Sequence, residues 1–210
     1  MKFTSFKNWL NEQKEEPTYG CVMAEPKKID GWEENHLAGI NEEDIYEDPN
    51  DDSYGLQKDA HITILFGVHE DKIDPTVVAD MIEQKMKPFT VLISEIDFFE
   101  RPDAGYDVVK YNVPVTKELQ NYRSMFLDAF ENTQTFPEYK PHITISYVKS
   151  GTGKKYKKKL NDPFKVYFNK GVYSYHKEDG LKDDLIRKVV SLEPEIEKEK
   201  NKGIINSKTV

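Results

Sequence analysis

Cysteine is almost absent from this sequence of 210 residues: Cys21 is the only one. A lone thiol cannot close an intramolecular disulfide, which excludes a small secreted scaffold held by cross-links. Cys21 lies in an apolar, strand-like run and reads as buried and inert. Long apolar runs are also missing. No stretch approaches the ~18 residues that a membrane helix needs, and the first residues lack the apolar core of a signal peptide. The expectation is therefore a cytoplasmic protein without a membrane partner. Metal-binding text is missing too, with no His-x-x-x-His pair and no clustered cysteines, so no metal and no cofactor are expected. Finally, positive charge is in deficit, 30 Lys and Arg against 38 Asp and Glu for a net charge of −8. Coating a long nucleic acid requires many neutralised phosphates, so that partner is disfavoured, while a small anionic ligand is allowed.

What is present is a repeated phrase. His61-Ile62-Thr63-Ile64 and His142-Ile143-Thr144-Ile145 agree at all four positions, 81 residues apart. In an extended segment alternate side chains share a face, so each His and Thr point one way and the isoleucines point into the core. Two such strands side by side would bring two imidazoles and two hydroxyls into one small volume. That set suits phosphoryl chemistry, with one histidine neutral and one protonated near pH ~6.5–7 as base and acid, and the threonines donating to phosphate oxygens. The separation suits an internally duplicated fold with a site between its halves.

The text around the motifs alternates strands and helices. An amphipathic helix is expected at 3–14, within an extension covering 1–16. A strand follows at Tyr19–Glu25, then an acidic, turn-rich excursion over 27–58 with a short helix near 32–37. The first motif strand spans 61–68, followed by a helix from Pro75 to Met86 and a strand from Phe89 to about Phe99. The second half gives a strand at 106–115, a helix at 117–131, the second motif strand at 142–148, and strands at 164–176 and 185–192. The charged stretch 194–210 reads as a disordered tail. Six lysines between Lys149 and Lys159 could steer a phosphate towards the site or form a solvated loop. The other histidines, His36, His69 and His176, read as ordinary surface residues.

These motifs resemble the two-histidine (2H) phosphodiesterase superfamily. The resemblance spans roughly residues 18–192 and implies a bilobal, pseudo-duplicated α+β fold over 17–193, with antiparallel-rich sheets around a cleft and helices outside. More narrowly, Thr18-Tyr19-Gly20-Cys21-Val22-Met23 and the excursion ending Asp51-Asp52-Ser53-Tyr54-Gly55-Leu56 look like the phage anti-CBASS phosphodiesterases. Those enzymes degrade the cyclic oligonucleotide messengers of a bacterial antiphage system without a metal. The resemblance makes His61 and His142 the acid–base pair and has Thr63 and Thr144 hold the phosphate of a cyclic oligonucleotide. One histidine would deprotonate a ribose 2′-hydroxyl for in-line attack, and the other would protonate the departing 5′-oxygen. Either assignment of the two roles is open.

A nucleobase needs a flat surface, worth ~1–3 kcal/mol per stacked base. Tyr19 is the first candidate, with Phe98, Phe99 and Tyr106 as a second wall. Rival readings use the same residues differently. A 2H enzyme could act on RNA ends, opening 2′,3′-cyclic phosphates or processing 2′–5′ linkages, and a binding protein could sequester nucleotides without hydrolysis, although permanently charged Arg or Lys would serve that better.

Overall fold

The computed structural model describes residues 18–29, 32, 39–49, 51, 53–134, 138–176 and 185–194. The expected helix at 3–14, nearly all of the short helix at 32–37, His36 and the tail after 194 lie outside the described residues.

Among the described residues seven strands form one antiparallel sheet: β1 (Tyr19–Pro26), β2 (Ile62–His69), β3 (Phe89–Arg101), β4 (Tyr106–Asn112), β5 (His142–Lys149), β6 (Lys158–His176) and β7 (Leu185–Ser191). Their order is β2-β1-β6-β3-β4-β5, with β7 also paired to β6. The long strand β6 joins two lobes. Its first half pairs with β3 and its second half with β1 and β7. The fold is α+β and antiparallel-rich, as expected, but the two motif strands are not hydrogen-bonded neighbours. They stand at opposite ends of the strand order, and the sheet curls until those ends approach.

Each outer edge is covered by the segment that leads into the opposite motif. The stretch before His61 lies along β5, with Leu56 bridged to Ser146 and Ile45 to Val148, and Tyr147 N–H donating to Gly55 O at 2.9 Å. The stretch before His142 lies along β2, where Thr133 N–H donates to Gly67 O at 2.8 Å and His69 N–H to Glu131 O at 2.9 Å. These crossed straps satisfy edge groups that would otherwise invite another chain. Gly67 makes the second strap possible: its φ is 100°, and a Cβ there would meet Thr133 O at 2.1 Å.

Two helices cover the outer face among the described residues, α1 (Pro75–Lys85) and α2 (Lys117–Ala129). Asp74 caps α1 through Thr76 N–H at 2.7 Å, with Pro75 pre-set for the first turn. Thr116 caps α2 by accepting from Leu119 N–H at 3.3 Å. The α1 face bearing Val78, Ala79 and Ile82 packs on β6 and β7, and Gly171 lets it approach, since a Cβ there would lie 2.2 Å from Ile82. β6 begins six residues earlier than the apolar text indicates, within the lysine run. Lys158 and Lys159 pair with Ile96 and Glu95 of β3, while Lys155 meets the buried Asp44 at 2.9 Å and Lys157 meets Asp97 at 3.0 Å. Lysine stems tolerate a half-exposed strand once carboxylates face them.

Candidate active site

The motif isoleucines fix which way the histidines point. Ile62, Ile64 and Ile143 are fully buried and Ile145 is 3% exposed, so a one-residue slip would bring all four to the other face, at a cost of ~6–12 kcal/mol. His61 and Thr63, and likewise His142 and Thr144, therefore face the concave side. Both motifs then carry a β-bulge at the same place. Ile64 is the extra residue opposite Val22/Met23, and Ile145 is the extra residue opposite Val109/Lys110. A bulged residue leaves the regular ladder. Arg123 donates to Ile64 O at 3.2 Å, and Gln57 N–H donates to Ile145 O at 2.9 Å. The bulge also resets the alternation, so Phe66 and Tyr147, each five residues after its histidine, join the motif face.

The two imidazoles are held in the same way. His61 Nδ1 lies 3.2 Å from Asp59 O, and His142 Nδ1 lies 2.8 Å from Lys140 O. A carbonyl can only accept, so Nδ1 carries the hydrogen and Nε2 is the reactive nitrogen in both rings. Burial pushes both histidines below the usual imidazole range. His142 falls to about 4, mainly through burial, with Lys110 and the His61 ring adding to the shift. For His61 the fall is opposed by the Asp59 carbonyl and carboxylate. Thr63 Oγ1 receives the Cys21 thiol at 3.9 Å, which leaves the threonine's own hydrogen free to donate. Tyr139 O–H donates to Thr63 O at 3.2 Å and pins the strand. Cys21 itself stays a thiol, pushed up to about 12 chiefly by burial. It sits on the motif face of β1, opposite Phe66.

Two His-x-Thr strands, bulged at the same place, are thus brought together from the ends of one curled sheet. Residues 32–169 fit the family model of the 2′-5′ RNA ligase superfamily. The chain belongs to that superfamily. Among solved structures, E. coli LigT in its apo form aligns with a TM-score of 0.50 at 13% identity, covering 84% of this chain and 96% of LigT, and this likeness shows the fold. E. coli LigT complexed with 3′-AMP aligns with a TM-score of 0.49 at 12% identity over 85% and 97% of the two chains. Kluyveromyces marxianus Usb1 aligns with a TM-score of 0.48 at 10% identity over 80% and 96%. Among curated proteins none matches the sequence.

In this superfamily member the expected aromatic residues separate by face. Tyr19 lies on the motif face, with its ring 6.3 Å from Phe66 and 5.6 Å from His69. Tyr106 lies on the other lobe's motif face, 5.3 Å from Tyr147, in a cluster with Tyr46 and Tyr54. Phe99 meets the His142 ring edge-on, 5.0 Å between centroids, and so buttresses the imidazole. Phe98 is a correction to the expected second wall: it pairs with Val109 on the opposite face, packed where a Cβ on Gly153 would touch it. Strand alternation decides this, because adjacent residues cannot share a face without a bulge.

Sequence reasoning missed Phe66, Tyr147 and Lys110. The first two carry a signal, an aromatic at the same offset after each histidine, but only the paired bulge places them on the motif face. Lys110 carries none, since a lysine in a strand reads as exposed. It is 3% exposed, pairs with Thr144 across β4 and β5, and holds Nζ 4.3 Å over the Phe99 ring. It donates to Asn112 Oδ1, and Asn112 in turn bonds Glu95 and, at 3.3 Å, Asp97. Burial lowers the Lys110 ammonium from its usual range, while both carboxylates oppose the fall. His69 and His176 also depart from the surface reading: His69 Nε2 bonds Thr133 Oγ1 at 2.8 Å, and His176 is paired with Glu70. No group of three or more His, Cys, Asp or Glu side chains suited to a metal occurs among the described residues.

Proposed function

We propose that this superfamily member is a metal-independent phosphodiesterase that cleaves 3′–5′ linked cyclic di- or oligonucleotides, with residues 17–193 as its catalytic unit. The observation that carries the reading is the pair of imidazoles with Nδ1 anchored and Nε2 free for proton transfer, each beside a threonine hydroxyl. In the reaction, His142 Nε2 takes the proton of a ribose 2′-hydroxyl. That oxygen attacks the adjacent phosphorus, the bond to the 5′-oxygen breaks, and His61 Nε2–H supplies the proton to the leaving oxygen. The product end is a 2′,3′-cyclic phosphate, and the two histidines finish with exchanged protonation states. Thr63 and Thr144 donate to the non-bridging oxygens.

The roles follow from the electrostatics. Lys110 disfavours a proton on His142, whereas Asp59 favours one on His61. Both rings are neutral in the empty site near neutral pH, and the substrate's negative charge raises the pair so that one proton is retained in the complex.

A compact, two-base substrate is supported by the aromatic platforms on either side of the motifs. Phe66 lies two register positions from Thr63, and Tyr147 two register positions from Thr144, about 7 Å in each case. Each can carry one base next to a shared phosphate. A counter-defence role against messenger-based bacterial immunity is part of the proposal, resting on the text at residues 18–23 and 51–56.

A test is to incubate the pure protein, in chelator, with cyclic di- and trinucleotides and with RNA ending in a 2′,3′-cyclic phosphate, and to identify products by mass. Cleavage of a cyclic substrate is expected. Action confined to RNA termini would replace this reading with the RNA-end one, and dependence on added divalent metal would remove the two-histidine mechanism.

A further inference from the structure

Beyond Phe66 the motif face opens into a cavity of about 360 Å3 lined by Thr18, Tyr19, Cys21, Phe66, Ser174 and His176, with Leu185 at its rim. Its size falls within the ~300–1,000 Å3 of small-ligand sites. It adjoins the reaction centre, because Cys21, one of its lining residues, bonds Thr63 Oγ1. Phe66, 42% exposed, is available for stacking. The polar groups are ordered along β6. Val172 is level with Met23 and hence with Thr63, Ser174 is level with Cys21 and Phe66, and His176 lies one step farther. Strand rise puts Ser174 about 7 Å and His176 about 13 Å from the Thr63 level. Because β6 lies two strands across from β2, about 9–10 Å, a nucleoside whose phosphate sits at Thr63 and whose ring stacks on Phe66 would turn its outer base edge across the cavity towards Ser174 and His176.

His176 is a built element rather than a loose side chain. Its Nδ1 lies 3.0 and 3.1 Å from the two Glu70 carboxylate oxygens, and its backbone N–H donates to Glu70 Oε1 at 3.2 Å. A carboxylate only accepts, so in the neutral ring Glu70 selects the tautomer with hydrogen on Nδ1 and makes Nε2 an acceptor.

We propose that His176, held by Glu70, selects the nucleobase stacked on Phe66, favouring an amino base (adenine or cytosine) over a keto base (guanine or uracil). This rests on the nucleotide-cleaving reading above. The exocyclic group farthest from the ribose is an N–H2 donor in adenine and cytosine and a carbonyl acceptor in guanine and uracil. An acceptor at Nε2 satisfies the former and leaves the latter opposed by a lone pair. Ser174 Oγ, nearer the ribose, can donate to adenine N7.

The test is the affinity of the full chain for the four ribonucleoside 3′-monophosphates at pH 8, by titration calorimetry. The adenine and cytosine nucleotides are expected to bind about tenfold more tightly than the guanine and uracil ones, the weight of one unmade buried hydrogen bond. His176→Phe, which keeps the packing, brings the four within about twofold of one another. Phe66→Ala removes an exposed ring and weakens all four alike. Lack of saturable binding, a preference for keto bases, or a preference that survives His176→Phe would overturn the proposal. Base preference without cleavage of any cyclic or RNA substrate would refute the catalytic reading alone, and cleavage without base preference would refute the selectivity alone.

Discussion

Replacing Lys110 by Met removes the buried ammonium behind His142 while retaining a stem that fills its place over Phe99. With Nζ 4.3 Å from the Phe99 centroid and that ring 5.0 Å from His142, the charge lies within about 9 Å of the imidazole, where two unit charges interact by ~2 kcal/mol at an effective dielectric of ~20. That is about 1.3 pH units on the histidine. The carboxylates of Glu95 and Asp97 remain in the variant and cancel from the comparison, and partial screening by solvent reduces the Lys110 contribution, so a rise of ~0.5–1 unit is expected. The sign is fixed by the role. A general base must be unprotonated in the free enzyme, so with His142 as the proposed base the acid limb of kcat/KM is expected to have its midpoint near the His142 value, about 4. In Lys110→Met that limb moves to higher pH by ~0.5–1 unit, and the His142 ring resonance in an NMR titration moves with it. A limb that stays in place, or moves to lower pH, would refute the assignment of His142 as base and of Lys110 as the group that keeps it neutral.

Single replacements His61→Ala and His142→Ala are each expected to lower kcat by ~10²–10⁴-fold with nucleotide affinity largely kept, measured by steady-state turnover and calorimetry. Because His142 takes up its proton near pH 4 when folded and near the ordinary imidazole value of 6.5 when unfolded, the unfolded chain binds more protons between those values. Stability contributed by the neutral ring is therefore present above pH 6.5 and is lost as pH falls towards 4, and His142→Asn should flatten the melting temperature over that window. Gly67→Ala should destabilise the fold by ~2 kcal/mol or more in denaturant titration, because its Cβ meets Thr133 O at 2.1 Å in a backbone conformation that L side chains avoid.

The repeated His-Ile-Thr-Ile carried most of what could be read without coordinates. Periodicity alone places Ile62, Ile64, Ile143 and Ile145 inside and the histidines and threonines outside, and Pro75 marks the start of the first helix. The departures share a cause: they depend on registers that no local pattern encodes. The motif strands lie at opposite ends of the sheet order, so their approach results from curling and from the crossed straps at residues 45–57 and 131–134. The bulges at Ile64 and Ile145 bring Phe66 and Tyr147 to the motif face, whereas a regular strand would turn them away. Phe98 and Phe99 cannot both face one side, and only the pairing with Val109 and Val108 decides between them. Lys110 reads as solvent-facing because the carboxylates behind Asn112, Glu95 and Asp97, come from the neighbouring strand β3, and Lys158, which is exposed, reads as loop because its partner on β3 is distant in sequence.

The most direct measurement compares a 3′–5′ cyclic diribonucleotide with its 2′-deoxy counterpart, in chelator, following products by mass and binding by calorimetry. If the 2′-hydroxyl is the nucleophile activated by His142, the ribonucleotide is opened to a 2′,3′-cyclic phosphate while the deoxy compound binds and stays intact, since stacking and phosphate contacts do not use that oxygen but in-line displacement does. Cleavage of the deoxy compound at a comparable rate would show that water attacks instead, and would contradict the proposed pairing of base and nucleophile.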